Sequence, residues 1–335
     1  MHPAVNNLIR ASTRNPNDRL KILTFSTHER YQSNMCDINA DFYVINNEKV
    51  KKWNTKYAEI PNNHKILNNI NKISDLPNYL DFDLVLSHER FKQFDIAESI
   101  SKHLHIPFAS LEHVCMTDQR RNLKEKVANT NIFISEYSVK SWEFKNEYEV
   151  IHHGVNTKVF HDKNIKRENN ILSVVNDWIN RDYECGFSLW QEITDGMPTV
   201  VVGDTPSLSV PAKNLDDLVS KYNRSNIFLN TSIYSPLPTT LIEAMACGCC
   251  VVSTANGMIP EIINNEVNGF ISNDIDELKL FLNKCLNDES LCKKIGNNAR
   301  ETIVKNFSLD KFTNRWNEVL QKAINKNWWE NENKY

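Results

Sequence analysis

Short apolar runs punctuate this chain, and between them apolar positions recur at helical spacing. In the first half the runs are Leu20–Phe25, Asp41–Ile45, Asp83–Ser87, Ile106–Leu111 and Asn131–Ser135, with a helical pattern over Ile96–Leu104. The second half repeats the style at Ile171–Val175, Thr199–Gly203, Asn226–Asn230 and Val251–Ser253, with helices between. Strands alternating with helices predict a parallel, doubly wound α/β sheet, and the pattern occurs twice. A last helical pattern spans Ser308–Lys326, with Leu309, Phe312, Trp316 and Leu320 on one face. Asn327–Tyr335 reads as a tail, with Trp328-Trp329 as a small docking patch.

The stretch Ser235–Glu261 carries the most chemistry. Pro238, Thr239 and Thr240 read as a helix start, with Thr as cap and Pro in the first turn, and Gly248 reads as its stop. Val251–Ser253 follows as a buried strand, and Asn256-Gly257 turns the chain again. A helix N-terminus presents unpaired N–H groups and partial positive charge, which suits a pyrophosphate. Glu243, one turn further in, can accept from a ribose diol. The stretch reads as a nucleotide-sugar site.

These residues resemble the donor motif of the retaining GT-B glycosyltransferases of family 4 (glycosyl transferases group 1), roughly E-x-F-G-x-x-x-x-E-A-M-A-x-G-x-P-V-V. Glu243 falls on the second glutamate, and Ala244-Met245-Ala246-Cys247-Gly248 matches residue for residue. Ser235 stands where the first glutamate belongs, and Cys250 where proline usually closes the turn. A serine can bond a sugar hydroxyl but supplies no negative charge. Val150–Phe160 is similar to the family's interdomain segment. The resemblance thus implies two Rossmann-like domains facing across a cleft: residues 1–150 on the acceptor side, 151–307 for the donor, and a helix and tail at 308–335 that crosses back to the first domain. In such sheets ligands bind at the carboxyl ends of the strands.

The same resemblance distributes roles. His113, ending the Ile106–Leu111 strand region, matches the histidine that reaches the transferred sugar. His88 ends its own strand and belongs at the same rim. The first loop, Ser26–Gln32, lacks the family's glycine pair, leaving His28 or Arg30 to compensate by side chain. In Val174–Tyr183 the expected Arg and Lys are out of place, and Arg181 is the cation left to neutralise a departing diphosphate. A salt bridge to Asp177 or Asp182 is its structural alternative. Gly203-Asp204 resembles the turn near the base, and Ser235, Leu237, Thr239 and Thr240 complete the donor side with Glu243.

Composition changes the picture little. The 335 residues are 41% hydrophobic, enough for two ordinary cores, and the net charge of −3 offers no global field for nucleic acid or membrane. No apolar run approaches the ~18 residues of a membrane span, and Met1–Arg14 lacks a signal-type segment, so the expectation is a cytoplasmic chain, peripheral membrane contact left open. Eight scattered cysteines suit a reducing compartment. Cys247 and Cys250 have redox spacing, but at a helix end, where small buried residues are the better reading. The implied chemistry is metal-independent transfer of a hexose or pentose with retention. It needs no cofactor beyond a nucleoside diphosphate sugar, a UDP-sugar in the first instance.

The acceptor is less legible. Arg120, Arg121 and Lys124 follow His113 and either form a solvated helix face or meet an anionic acceptor. That acceptor would be an anionic or lipid-linked glycan. Alternatives are hydroxymethylated DNA, as phage enzymes modify, and a catalytically inactive nucleotide-sugar binding module.

Overall fold

The computed structural model describes residues 3–55 and 57–327, so the Trp328-Trp329 patch lies outside the described residues. Two compact units emerge, one comprising the residues up to His153 with those from Asp310 onward, the other Gly154–Leu309.

The first unit is built on seven parallel strands: β1 (Leu20–Phe25), β2 (Ala40–Asn46), β3 (His64–Asn68), β4 (Leu84–Ser87), β5 (Phe108–Glu112), β6 (Thr130–Phe133) and β7 (Glu149–Val150). Their order is β3-β2-β1-β4-β5-β6-β7. Around them lie α1 (Pro3–Thr13), α2 (Glu29–Ser33), α3 (Gln93–Leu104) and α4 (Glu136–Ser141). The inner strands β1, β2 and β4 are buried almost throughout, which is why their sequences read as largely apolar runs rather than alternating ones. Neither β3 nor β7 is visible in that pattern. The first is an edge strand of mixed polarity, and the second is two residues long. Helix α1, also missed, is held by polar contacts that pattern does not reveal: Asn7 donates to the Leu104 carbonyl (3.0 Å) and Arg10 pairs with Asp83 (2.8 Å).

The second unit holds β8 (Glu168–Val174), β9 (Thr199–Val202), β10 (Ser225–Asn230), β11 (Cys250–Ser253) and β12 (Phe270–Ile271), in the order β12-β11-β10-β8-β9. Its helices are α5 (Asp182–Cys185), α6 (Phe187–Ile193), α7 (Leu215–Arg224), α8 (Thr239–Ala246), α9 (Ile259–Ile262), α10 (Ile275–Asn287) and α11 (Glu289–Asn306). Every pairing between named strands is parallel. One core, containing Leu241, Ile242 and Met245 of α8, covers one sheet face; another, containing Trp178, Leu278 and Phe281, covers the other. Helix α11 runs hard against the turn after α8: a Cβ on Gly296 would sit 2.2 Å from the Gly248 carbonyl oxygen, so only glycine allows that approach.

The final helix, α12 (Leu309–Ala323), begins at the end of the second unit and packs in the first. Its Trp316 indole donates to the Tyr31 hydroxyl (3.2 Å), and Arg315 and Lys322 both pair with Glu149. Among the described residues, no helix is long and apolar enough to cross a membrane.

Candidate functional site

In a doubly wound sheet the strand order reverses at one point, where the connections leave in opposite directions and open a crevice at the carboxyl ends. In the first unit that point lies between β1 and β4. The loop after β1 carries His28 and leads into α2 with Tyr31; His88 directly follows β4, and His113 directly follows β5. Gln93 ties the two central loops together, its side chain donating to the Ser26 carbonyl (3.1 Å) and accepting from the His88 N–H (2.9 Å).

The result is an imidazole cluster around one phenol. Tyr31 meets His113 edge-on with ring centres 4.4 Å apart and His153 at 5.0 Å; His113 lies 5.8 Å from His88, rings nearly parallel, and 5.4 Å from His28. His88 shares a hydrogen bond with Thr24 (3.0 Å) through Nε2. Its Nδ1, both nitrogens of His113 and Nε2 of His153 find no hydrogen-bond partner among the described residues. Burial pushes His88 down to about 3 and His113 well below the usual imidazole range, with neighbouring histidines adding to the effect, so both rings are neutral at ordinary pH. The cluster holds uncharged ring nitrogens, four of them buried without a hydrogen-bond partner among the described residues.

Behind it sits a pair that sequence reading missed. Glu112, fully buried at the end of β5, accepts from the Arg90 N–H (3.2 Å) and the Val114 N–H (3.1 Å), pinning the loops that carry His88 and His113. Burial lifts its carboxyl to about 7. The Arg90 guanidinium, brought down to about 10 by burial, is enclosed by the rings of Phe133 (4.8 Å), Phe144 (4.9 Å) and Trp142 (5.2 Å). The signal for this pair was the Ser-His-Glu-Arg and Glu-His sequences, in which each histidine has a chargeable neighbour.

In the second unit the reversal lies between β8 and β10, and the two loops singled out in the sequence follow those strands. Helix α8 reverses the roles that the reading gave to Thr and Pro: Pro238 is the N-cap, Thr239 and Thr240 are the first helical residues, and no side chain caps the first turn. Thr cannot be the cap because the chain is already helical there, and Pro cannot donate a backbone hydrogen bond in any case. Leu237 faces the core, and Ser235 is half-buried in the approach to the helix. The approach is shaped by Gly257 (φ +60°), where a Cβ would meet the Ser235 carbonyl oxygen at 2.6 Å. At the opposite end of α8, Arg167 donates to the Cys247 carbonyl (2.6 Å) and Arg300 to that of Ala246. Two guanidinium groups thus satisfy the negative end of the helix dipole, while the positive end has no carboxylate cap.

Glu243 is buried and its carboxylate accepts from the Tyr222 hydroxyl (2.9 Å). Arg181 pairs with Glu184 (2.9 Å), not with Asp177 or Asp182, because it stands at the N-cap of α5 and Glu184 lies three residues on. The Glu184 carbonyl in turn accepts from Ile233 (2.8 Å) and Tyr234 (3.1 Å), linking the Arg181 turn to the segment before α8. Gly203 and exposed Asp204 are brought against the same turn: Asn176 accepts from the Asp204 N–H (2.9 Å), and the Asp177 N–H donates to the Asp204 carbonyl (2.7 Å).

The remaining candidates are less convergent. Arg30 is exposed on α2. The run after His113 forms a 3-10 turn over Asp118–Leu123 rather than an α-helical face. Within it Arg121 pairs with Asp118 (2.8 Å), Arg120 lies over the Phe91 ring, and Lys124, just beyond, pairs with Glu143 (2.7 Å). Two Asp-x-Asp spacings exist, and both serve structure: Asp81 and Asp83 bind Arg10 and Lys21 at the amino end of β4, and Asp274 caps α10.

With this geometry in place, the comparisons with known proteins become informative. Residues 209–302 match the family model for glycosyl transferases group 1. That span covers α7 to α11 for most of their length and includes Ser235 and Glu243. The capsular polysaccharide biosynthesis glycosyltransferase CapM of Staphylococcus aureus is 33% identical over 99 residues, 29% of this chain and 26% of that protein. An uncharacterized glycosyltransferase of Methanocaldococcus jannaschii is 28% identical over 114 residues, 33% of this chain and 27% of that protein. These alignments span about a quarter of the curated relatives. In fold the likeness extends over most of the chain: the crystal structure of Anabaena HepE in complex with UDP superposes with a TM-score of 0.72 at 16% identity, covering 90% of this chain and 100% of that one. The fold is that of the GT-B glycosyltransferase structures.

The buried titratable groups give a test of the first unit. His88 holds its proton less tightly folded than unfolded, so its contribution to stability is present above about pH 6.5 and is lost on acidification toward 3. Glu112 has the opposite sign: its raised value favours the folded state at low pH, and that contribution is lost as pH rises through about 7. Urea unfolding between pH 6.5 and 4.5 should therefore show His88→Gln flattening the loss of stability on acidification, by up to about 1.4 kcal/mol per pH unit, and Glu112→Gln steepening it. Equal slopes in all three proteins would mean that these groups titrate as if exposed.

Proposed function

We propose that the chain is a retaining, metal-independent glycosyltransferase that moves a sugar from a nucleoside diphosphate donor, a UDP-sugar in the first instance, to an acceptor. The observation that carries this reading is the uncapped N-terminus of α8, at the strand-order reversal of the second unit and inside the stretch that matches the family model. The UDP held by the HepE structure supports the choice of nucleotide.

Each role follows from local chemistry. The α8 N–H groups, with Thr239 and Thr240 at the first turn, receive the diphosphate. Glu243, held by Tyr222, takes the ribose hydroxyls, and Gly203-Asp204 lies by the base. Leu237 shapes the approach, and Ser235 contacts the sugar or its phosphate. Arg181 exchanges Glu184 for the leaving diphosphate. The bond from the anomeric carbon to the diphosphate oxygen breaks and a bond to the acceptor oxygen forms on the same face, while the acceptor proton passes to the departing phosphate. His113 positions the transferred sugar: two unpartnered ring nitrogens are costly when buried, about 1–3 kcal/mol each, and sugar hydroxyls would satisfy them. His88, His28 and Arg30 line the acceptor side.

Replacing Glu243 with Ala should weaken UDP binding by roughly 1.5–3 kcal/mol in calorimetry, the range for hydrogen bonds to a charged group. Glu243→Gln, which keeps the packing around Tyr222, should show part of that loss. Unchanged affinity in both would remove the ribose assignment.

His113→Ala should lower turnover and donor hydrolysis while UDP affinity stays within about twofold, since the interaction lost is one made at the sugar. A parallel loss of UDP binding would make the residue structural. Absence of donor hydrolysis in the unaltered chain, with UDP bound, would instead indicate a nucleotide-sugar binding module.

For the acceptor we propose an anionic or lipid-linked glycan, on the cations Arg120, Arg121 and Lys124. Reversing the three charges should raise the acceptor KM and flatten its salt dependence, with donor hydrolysis unchanged. A salt slope steep enough for several phosphate contacts would point to DNA. Indifference to both charge and salt would rule out an anionic acceptor at this turn.

A further inference from the structure

We propose that the second unit binds a soft d10 metal ion, zinc(II) or copper(I), on Cys250, Cys285 and Cys292. The three come from separate elements: Cys250 opens β11, Cys285 lies in the last turns of α10, and Cys292 in the first turns of α11. Their sulfurs all lie within 4.8 Å of one another, with Cys250 and Cys285 3.6 Å apart. Metal–sulfur bonds of about 2.3 Å require sulfurs about 3.8–4.0 Å apart in tetrahedral or trigonal geometry, so small rotations of the side chains suffice.

Each of the three is at most 1% exposed, among Phe270, Leu278, Leu282 and Ile295. The cluster makes little use of its hydrogen-bonding capacity: the thiols touch each other, and Cys292 donates to the Cys285 carbonyl (3.2 Å). By contrast, Cys249 packs alongside backbone carbonyls of Tyr222 and Ser225, and Cys247 belongs to the core on the other face of the sheet. Soft thiolates buried among apolar side chains favour soft ions. Binding forms three metal–sulfur bonds and releases three thiol protons to solvent. The neighbouring Lys284 favours the thiolate of Cys285, and the divalent or monovalent cation itself must offset the rest, because Asp288, which caps α11, opposes a thiolate at Cys292. Loss of the Cys292 proton on binding also frees the Cys285 carbonyl, which accepts from that thiol in the metal-free chain.

The test uses the full chain with Cys36→Ser and Cys115→Ser, which removes the accessible thiols. Reduced protein is titrated with zinc(II) against a chromogenic chelator and, separately, with copper(I) supplied as its bathocuproine disulfonate complex. Retained metal is then examined by X-ray absorption. We expect one equivalent retained, with three sulfur neighbours at about 2.3 Å, and affinity reduced by about tenfold or more in Cys292→Ser. An added oxygen neighbour in the zinc sample, or three sulfurs alone in the copper sample, identifies the preferred ion. Failure to retain either metal, or a shell dominated by nitrogen or oxygen, overturns the proposal, and because this readout uses the intact cluster it does not depend on the variant folding.

Discussion

The constraint on which the rest depends is parallel strand pairing. A parallel strand cannot return through a tight turn, so every connection crosses a sheet face, and at one place in each sheet successive connections leave in opposite directions. In the first unit that place is the β1–β4 pair and in the second the β8–β10 pair. Loops there have no neighbouring crossover to cover them. The chain places its imidazoles at one such opening and its uncapped helix at the other.

Holding those loops requires buried polar groups, and burying them is costly unless each finds a partner. In the first unit Gln93 and Glu112 satisfy backbone N–H groups in the loops after β4 and β5, and the guanidinium of Arg90 is compensated partly by three aromatic faces. The histidines in front of them remain neutral because burial disfavours the imidazolium and the neighbouring imidazoles add to the effect. Rigid backbone and unspent side-chain nitrogens therefore coexist within a few ångströms.

The second unit solves a different problem, that of aiming a short helix. Helix α8 has eight residues, too short to persist without tertiary support. Its apolar face is buried in the core, its carboxyl end is bound by Arg167 and Arg300, and α11 approaches so closely at Gly296 that the turn after it cannot shift. With one end neutralised by guanidinium groups and the other left uncapped, the helix dipole is available in one direction only.

What the sequence by itself determined was the class of fold and the position of each chemical group along the chain. Short, largely apolar runs such as Leu20–Phe25 and Asn226–Asn230, set between helical patterns, read as strands buried on both faces, and Ala244–Gly248 with Glu243 carries its pattern locally. Strands such as His64–Asn68 and Phe270–Ile271 were illegible because their pairing partners, not their own composition, make them strands. The same holds for the site. His113 and His88 could be placed at strand ends from sequence alone. Their meeting with Tyr31 and His153, the pairing of Arg181 with Glu184, and the convergence of three cysteines could not. Those contacts join residues brought together by sheet order and loop conformation, which are set by packing over the whole unit rather than by any local pattern.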